Sequence, residues 1–527
     1  MSDRVQIKLR PLGKILNVER GTPLREALFE YGVEFPCGGR GRCRGCRVKV
    51  LRGSLPVTPE QARVLTPAEL AEGWRLACQA QAEDSLVLEL AQWEAVILAD
   101  DTPFDFLPGE GLAAAVDLGT TTLVAQLVDR RHGQVLGVQS ALNPQAQHGS
   151  DIMSRIHFAL AGPGQEILQT LIRDAVGRLL EDLIITCGVI EPLREVVMAG
   201  NTVMHHLFCG IDVEPLAGYP FEPRDGGAQV LQAERLGWTL PGNPPVRFLP
   251  CLGGFVGSDL LAGILATRLY ESPVLTALID LGTNGEIIVG YRDRILCAST
   301  AAGPAFEGGR ISMGMRAATG AIAEAWIENG AITGRVIGHG PPRGICGSGL
   351  VDAAAAALDL GWIDASGRLM GGREIIPVLE PVRITQNDIR QLQLAKGAIA
   401  GGLRILLERF GATEADLSRL YLAGAFGNYM NPASARRIGL LDCPPDRIIS
   451  AGNTALLGTK MALFQRPDDG GLLESVRNLV EHVPLSADPR FQDLFVEKMA
   501  LPKPGIRKTR SGSNPAKPAT LPLAYSP

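Results

Sequence analysis

Asp117-Leu118-Gly119-Thr120 and Asp280-Leu281-Gly282-Thr283 are one tetrapeptide written twice, 163 positions apart, each closing an apolar run and followed by another. An acidic residue at the end of a strand, a Gly-Thr turn and a second strand make a hairpin whose backbone N–H groups and hydroxyls can hold phosphate oxygens. The carboxylate then stands where a hydrated Mg²⁺ needs a counter-charge. Two such hairpins facing one another form a phosphate clamp. The repeat therefore points to a nucleotide-dependent ATPase or kinase made of two halves on one plan.

A chain of 527 residues is too long for a single core. Residues 1–95 read as a compact unit, opening with an alternating strand over 4–18 and closing with one over 85–90. Within it, Thr22-Pro23 predicts a helix start, with Thr22 as N-cap and Pro23 in the first position. The Pro/Gly-broken, polar stretch 96–111 predicts a linker. Beyond it, strand hairpins alternate with Ala/Leu-rich helical stretches such as 164–186, 348–359 and 388–409, which indicates an α/β fold. The two tetrapeptides divide it into a first lobe, 112–274, and a second, 275–500. Residues 501–527 are Pro/Lys/Ser-rich and predict a disordered tail.

The net charge of −5 offers no basic field for nucleic acid. No run of 18 uncharged apolar residues is present to span a membrane. The first residues alternate polar with apolar and lack the apolar core of a signal peptide. The compartment these features predict is the cytoplasm. Of the ten cysteines, six are scattered singly and read as small buried hydrophobes.

The other four are Cys37, Cys43, Cys46 and, after a gap of 31 residues, Cys78. Thiolates at C-x₅-C-x₂-C on a glycine-rich loop, with a fourth from a distant segment, can wrap a two-iron cluster. Gly38, Gly39, Gly41 and Gly45 leave room for backbone N–H groups to turn toward the sulfides. Four thiolates also satisfy Zn²⁺, but zinc sites usually pair two short knuckles, and here only Cys43 and Cys46 form one. Residues 1–95 resemble a [2Fe–2S] ferredoxin of the plant and adrenodoxin type, a β-grasp fold, and the first gap is closer to the adrenodoxin form. Arg40, Arg42, Arg44 and Arg47 surround this loop, either balancing cluster charge or forming a docking patch for an acidic redox partner.

Two further glycine turns accompany the repeat. Leu422-Ala423-Gly424-Ala425-Phe426-Gly427-Asn428 is a strand running into a turn that lets adenosine approach the backbone. Cys346-Gly347-Ser348-Gly349 opens a helix whose N-terminus favours anions. The ordered set resembles the superfamily of acetate and sugar kinases, heat-shock ATPases and actin, a two-lobed fold abbreviated ASKHA. That resemblance implies an α/β and α+β multidomain chain in which Asp117 and Asp280 hold Mg²⁺ through water and orient the attacking water, with Glu286 as an added acid. It implies phosphate contacts from Gly119, Thr120, Thr121, Gly282, Thr283, Asn284 and Gly285, further nucleotide contacts from Gly347 and Gly349, and adenosine contacts from Gly424, Ala425, Phe426 and Gly427.

Asn143-Pro-Gln, Ser150-Asp151-Ile-Met-Ser-Arg155, Gly200-Asn201-Thr202-Val-Met-His205-His206, Gly254-Phe-Val-Gly257-Ser-Asp259, Ala302-Gly-Pro-Ala-Phe-Glu307-Gly308 and Gln386-Asn387-Asp388 resemble a narrower family, the reductive activators of corrinoid proteins. This resemblance runs from the ferredoxin to about residue 495. It implies ATP-dependent transfer of one electron from the cluster to a corrinoid protein, returning Co(II) to Co(I) for methyl transfer. It also implies a low-potential electron donor, and a homodimer would match a multi-subunit corrinoid partner. A small-molecule kinase leaves the ferredoxin unexplained, and an activator of a radical dehydratase or another low-potential metalloenzyme lacks a fused plant-type domain. A heat-shock chaperone needs more chain after the adenosine motif than is present. His205 and His206, adjacent on a helix, point in different directions and read as core packing rather than a chelating pair.

Overall fold

The structure, a computed structural model, describes residues 4–29, 31–33, 41, 46–90, 102–149, 151–282, 284–338, 340–424, 430–465 and 471–503. Cys37, Cys43, Thr283, Ala425, Phe426, Gly427 and the tail beyond Lys503 lie outside them. Among the described residues, no helix is long and apolar enough to cross a membrane.

The N-terminal unit is a five-stranded sheet in the order Ile15–Glu19, Arg4–Arg10, Leu86–Leu90, Arg47–Arg52, Trp74–Leu76, with the first and last strands of the chain segment, Arg4–Arg10 and Leu86–Leu90, parallel at its centre. Val5, Ile7 and Leu9 alternate inward, as the period of two demands, and pack with Leu24, Leu28 and Leu88. The helix expected from Thr22 instead begins at Leu24, because Thr22 and Pro23 pair with Ala82 and Gln81 as a two-residue strand. A proline costs nothing on such an edge, and pairing to a distant segment overrides the local N-cap pattern. Thr58 and Thr66 do cap helices Pro59–Val64 and Pro67–Ala71.

The rest of the chain repeats one topology. In the first lobe, strands Leu112–Leu118, Thr122–Asp129 and Gln134–Leu142 form an antiparallel meander, and Leu193–Gly200 then Pro245–Phe248 extend it in parallel beyond Leu112–Leu118. The second lobe does the same with Thr276–Leu281, Gly285–Tyr291 and Arg294–Thr300, then Arg419–Ala423 and Ile448–Gly452. Strand Leu112–Leu118 is an almost continuous apolar run because both faces are covered. Leu112, Ala114, Val116 and Leu118 face helix Gly164–Thr186, while Ala113 and Ala115 face helix Thr454–Ala462 from the far end of the chain. In the second lobe, Ala277, Ile279 and Leu281 face one core, and Leu278 faces helix Ser258–Thr267, which the first lobe contributes.

These two exchanged helices cross against each other between the lobes. The crossing is close enough that a Cβ on Gly458 would lie 1.9 Å from the Ala262 carbonyl oxygen, so only glycine fits there. The described part of the stretch leading into the first lobe is packed down: Phe104 meets Phe464 edge-on and Phe106 meets it tilted, with ring centroids 5.3 and 4.7 Å away.

Candidate functional site

The strand period places the two aspartates. Asp117 follows Ala113 and Ala115 on the face toward helix Thr454–Ala462, and Asp280 follows Leu278 on the face toward helix Ser258–Thr267. Both carboxylates therefore point into the cleft between the lobes, at the N-terminal ends of the exchanged helices. Glu286 joins them because it is directly opposite Asp280 in the second hairpin. Two acids absent from the predicted set complete the group: Asp259, in the first turn of helix Ser258–Thr267, and Glu307, in the short turn Pro304–Glu307.

Of the five acids, Glu286 is buried and the other four are half-buried, and they lie close enough to feel one another's charge. Burial raises Asp117 to about 6, opposed by a hydrogen bond from Asn453. Burial first, then Asp259, Asp117 and Glu307, raises Asp280 to about 7. Asp259 also stands at about 7, from burial and then the charge of Asp117, and Glu286 is pushed well above the carboxylate range by burial, Asp259, Asp280 and Glu307. Such a cluster favours a cation. Among the described residues, no three His, Cys, Asp or Glu side chains are arranged to ligate one ion directly. Hard oxygen donors that act at one remove suit Mg²⁺, which keeps several of its waters.

The first hairpin's turn is pinned from behind. Asn143 Nδ2 donates to the Gly119 carbonyl at 2.9 Å, and the Asn143 N–H donates to the Thr121 carbonyl at 2.9 Å. Arg155, fully buried, donates from Nη2 to the Thr120 carbonyl, from Nη1 to Gln145 Oε1 at 3.1 Å and from Nε to the Gly149 carbonyl at 3.0 Å. Burial lowers its guanidinium to about 9, still protonated at neutral pH. Drawing three successive carbonyls backward presents the N–H side of the turn to an anion. Gly119 is required here, since a Cβ would lie 2.4 Å from the Thr122 carbonyl oxygen.

Asn201 and Asn453 act alike. Each caps a helix with Oδ1, accepting from Met204 and Leu456 N–H at 3.0 and 2.9 Å. Each then donates from Nδ2 to the first hairpin, Asn201 to Thr120 Oγ1 and Asn453 to Asp117 Oδ2, both at 2.8 Å. A second internal repeat, Ala199-Gly200-Asn201-Thr202 and Ala451-Gly452-Asn453-Thr454, is the signal that finds them.

The second turn is held by the Gly282 N–H donating to the Asn284 carbonyl at 3.1 Å, with Glu307 beside Gly282. Gly424 ends strand Arg419–Ala423 next to Asp280; at φ +84°, with Asp280 Oδ1 2.6 Å from any Cβ, it accepts no side chain. Gly347 and Gly349 open helix Gly347–Asp359, whose first turn is buried against strand Ala321–Glu328 and whose body abuts the turn carrying Glu307.

In the ferredoxin unit, Cys46 is buried, and the Ala77 N–H donates to the Cys46 carbonyl at 2.9 Å, which brings the segment bearing Cys78 beside it. Gln79 Nε2 lies 3.7 Å from the Cys78 sulfur as a donor. Two cysteines on adjoining segments, one of them receiving a side-chain donor at its sulfur, suit an iron–sulfur cluster.

This combination, a ferredoxin joined to a two-lobed fold with acids gathered in its cleft, defines an iron–sulfur protein fused to an ASKHA domain. Residues 7–83 match the 2Fe-2S iron-sulfur cluster binding domain, 112–272 the RACo middle region, and 274–511 the C-terminal domain of RACo, the ASKHA domain. The corrinoid activation enzyme RamQ of Eubacterium limosum is 35% identical over 441 residues, covering 76% of this chain and 73% of the relative. The [Co(II) methylated amine-specific corrinoid protein] reductase of Methanosarcina barkeri is 26% identical, covering 72% and 75%. A solved structure of a reductive activator for corrinoid, iron-sulfur protein matches with 27% identity and a TM-score of 0.69, over 96% of this chain and all of that one. The chain belongs to this family of corrinoid activation enzymes.

Proposed function

We propose that the chain is an ATP-dependent reductive activator that passes one electron to a corrinoid protein of a methyltransferase system, restoring Co(II) to Co(I). The observation that carries it is the joining, in one chain, of a thiolate-bearing ferredoxin to a carboxylate-lined cleft of the ASKHA type. A [2Fe–2S] cluster held by Cys37, Cys43, Cys46 and Cys78 supplies single electrons near −400 mV. For an acceptor more reducing than that, each 100 mV of deficit costs about 2.3 kcal/mol per electron, which the nucleotide must offset by favouring one conformational state over another.

Within the cleft, Gly119, Thr120 and Thr121 receive phosphate oxygens at the pinned turn, and Gly282, Thr283, Asn284 and Gly285 receive them from the facing hairpin. Asp117 and Asp280 would hold Mg²⁺ through its waters, which would offset the phosphate charge. Asp259 and Glu307 add charge that draws the cation in. Glu286, across from Asp280, orients the attacking water; with the charge of Asp259, Asp280 and Glu307 offset by a cation, it returns to the carboxylate form, which accepts the water's proton. The turn after Ala423, from Gly424 through Ala425, Phe426 and Gly427, takes the adenosine. Gly347 and Gly349 support the second hairpin through the Glu307 turn. The cytoplasm, a low-potential donor and a homodimer complete the reading.

The test is the Co(I) absorption of a candidate Co(II) corrinoid protein mixed with the chain, a low-potential reductant and Mg–ATP. Asp280→Ala should abolish its ATP-dependent appearance while leaving the cluster's absorption intact, and Cys46→Ser should do the reverse to the cluster while sparing nucleotide binding. Co(I) formation at the wild-type rate without ATP sinks the proposal.

A further inference from the structure

The ferredoxin unit rests on both lobes, and its contact with the first lobe is the segment that pins the phosphate-1 turn. Leu142 and Ala146 pack against the ferredoxin's hydrophobic core. Between them stand Asn143, whose amide and N–H hold the carbonyls of Gly119 and Thr121, and Gln145, whose Oε1 accepts from the Arg155 that holds Thr120. Asn143 and Gln145 are fully buried. At the end of the same segment, His148 feels the charge of Arg25 on the ferredoxin helix Leu24–Phe29. On the second lobe, Arg343 donates to the Leu90 carbonyl and to Glu89 Oε1, both at 3.1 Å, at the end of the last ferredoxin strand. Arg343 is itself placed by its N–H donating to the Gly320 carbonyl at 2.8 Å.

We infer that the ferredoxin is an intramolecular ligand of the nucleotide site: docked across residues 142–148 and Arg343, it orders the Asn143–Gln145 buttress and so pre-organises the phosphate-1 turn. The inference rests on the reading that Gly119 to Thr121 receive phosphate. A turn already ordered loses less freedom when nucleotide arrives, so the docked form binds nucleotide more tightly. Linkage is reciprocal: nucleotide must then hold the ferredoxin down by the same factor. The coupling gives the electron carrier a position that depends on the state of the ATP site.

A change on the ferredoxin side separates this coupling from direct damage to the cleft. We would measure binding of the non-hydrolysable analogue AMP-PNP with Mg²⁺ by calorimetry on the full, cluster-loaded chain. Glu89→Arg should weaken it by about fivefold or more, Arg343→Glu should do the same, and the double charge swap should restore it, each variant keeping the wild-type cluster absorption. Hydrogen exchange gives a second readout: AMP-PNP should slow exchange in strand 86–90 of the wild type, and Glu89→Arg should speed it in 142–148. Wild-type affinity in Glu89→Arg, or a double variant no tighter than the singles, overturns the inference while leaving the nucleotide reading standing. A wild type that binds no AMP-PNP overturns both.

Discussion

The two hairpins begin with the same four residues and are put to different uses. In the first, the turn spans 119–122 and the residue opposite Asp117 is Val124; in the second, it spans 282–284 and the residue opposite Asp280 is Glu286. One residue fewer in the turn changes which side chain meets the aspartate, since a shift of one moves every side chain to the other face. The first hairpin is gripped from behind by Asn143, Arg155 and Asn201, and Asn453 steadies its carboxylate. The second gathers acid instead, from Glu286, Asp259 and Glu307. In the function proposed above, a duplicated fold serves as a rigid phosphate holder on one side and a charged, water-orienting wall on the other.

Breaking the grip of the first hairpin should cost most in stability. Arg155→Met leaves Gln145 Oε1 and the carbonyls of Gly149 and Thr120 buried without their donor. At about 1–3 kcal/mol per stranded group, a loss of about 3 kcal/mol or more is expected in denaturant unfolding, with nucleotide KM raised and the ferredoxin's cluster unaffected. A loss below about 1 kcal/mol would show that the turn does not depend on this guanidinium.

Glu286→Gln tests the acid wall. Removing a group that positions water and takes its proton should lower kcat for ATP about 10²-fold, with KM little changed and no loss of fold. An unchanged kcat would make the difference opposite the two aspartates a matter of packing alone.

The smallest effect is expected at the junction of the two hairpins. Asn453→Ala removes the hydrogen bond that holds down the pKa of Asp117, already about 6, and also a helix cap. The cap alone is worth about 1 kcal/mol. Asp117 serves as the carboxylate, so pushing its pKa further up moves the acid limb of the kcat/KM profile to higher pH and lowers activity most between pH 6 and 7. A limb that stays in place would exclude Asn453 as a positioning residue.

The two hairpins were legible because each is local: a strand ending in Asp-Leu-Gly-Thr needs no distant partner to be recognised. Asp259 and Glu307 stood inside family motifs and Asn453 in none, and none of the three was assigned to the cleft, since each enters it as a single residue at the start of a helix or the end of a short turn remote in sequence. What would have exposed Asn453 is the Ala-Gly-Asn-Thr repeat, whose copies sit on non-equivalent strands, so a search for fold-level duplication passes over it. Arg155 and Asn143 stood inside motifs of the family, but their work of drawing carbonyls away from the cleft is visible only in three dimensions. At Thr22-Pro23 the sequence misled, because a pairing with residues 81–82 outweighs a local capping pattern.

The division of labour is tested most directly by nucleotide affinity measured with Mg²⁺ and again in EDTA, in the wild type and in Asp280→Asn. The wild type should bind Mg–ATP far more tightly than metal-free ATP, and Asp280→Asn should lose most of that ratio, while Arg155→Met weakens both affinities and keeps it. An Asp280→Asn protein with the wild-type ratio would contradict the part assigned to Asp280 in holding the cation.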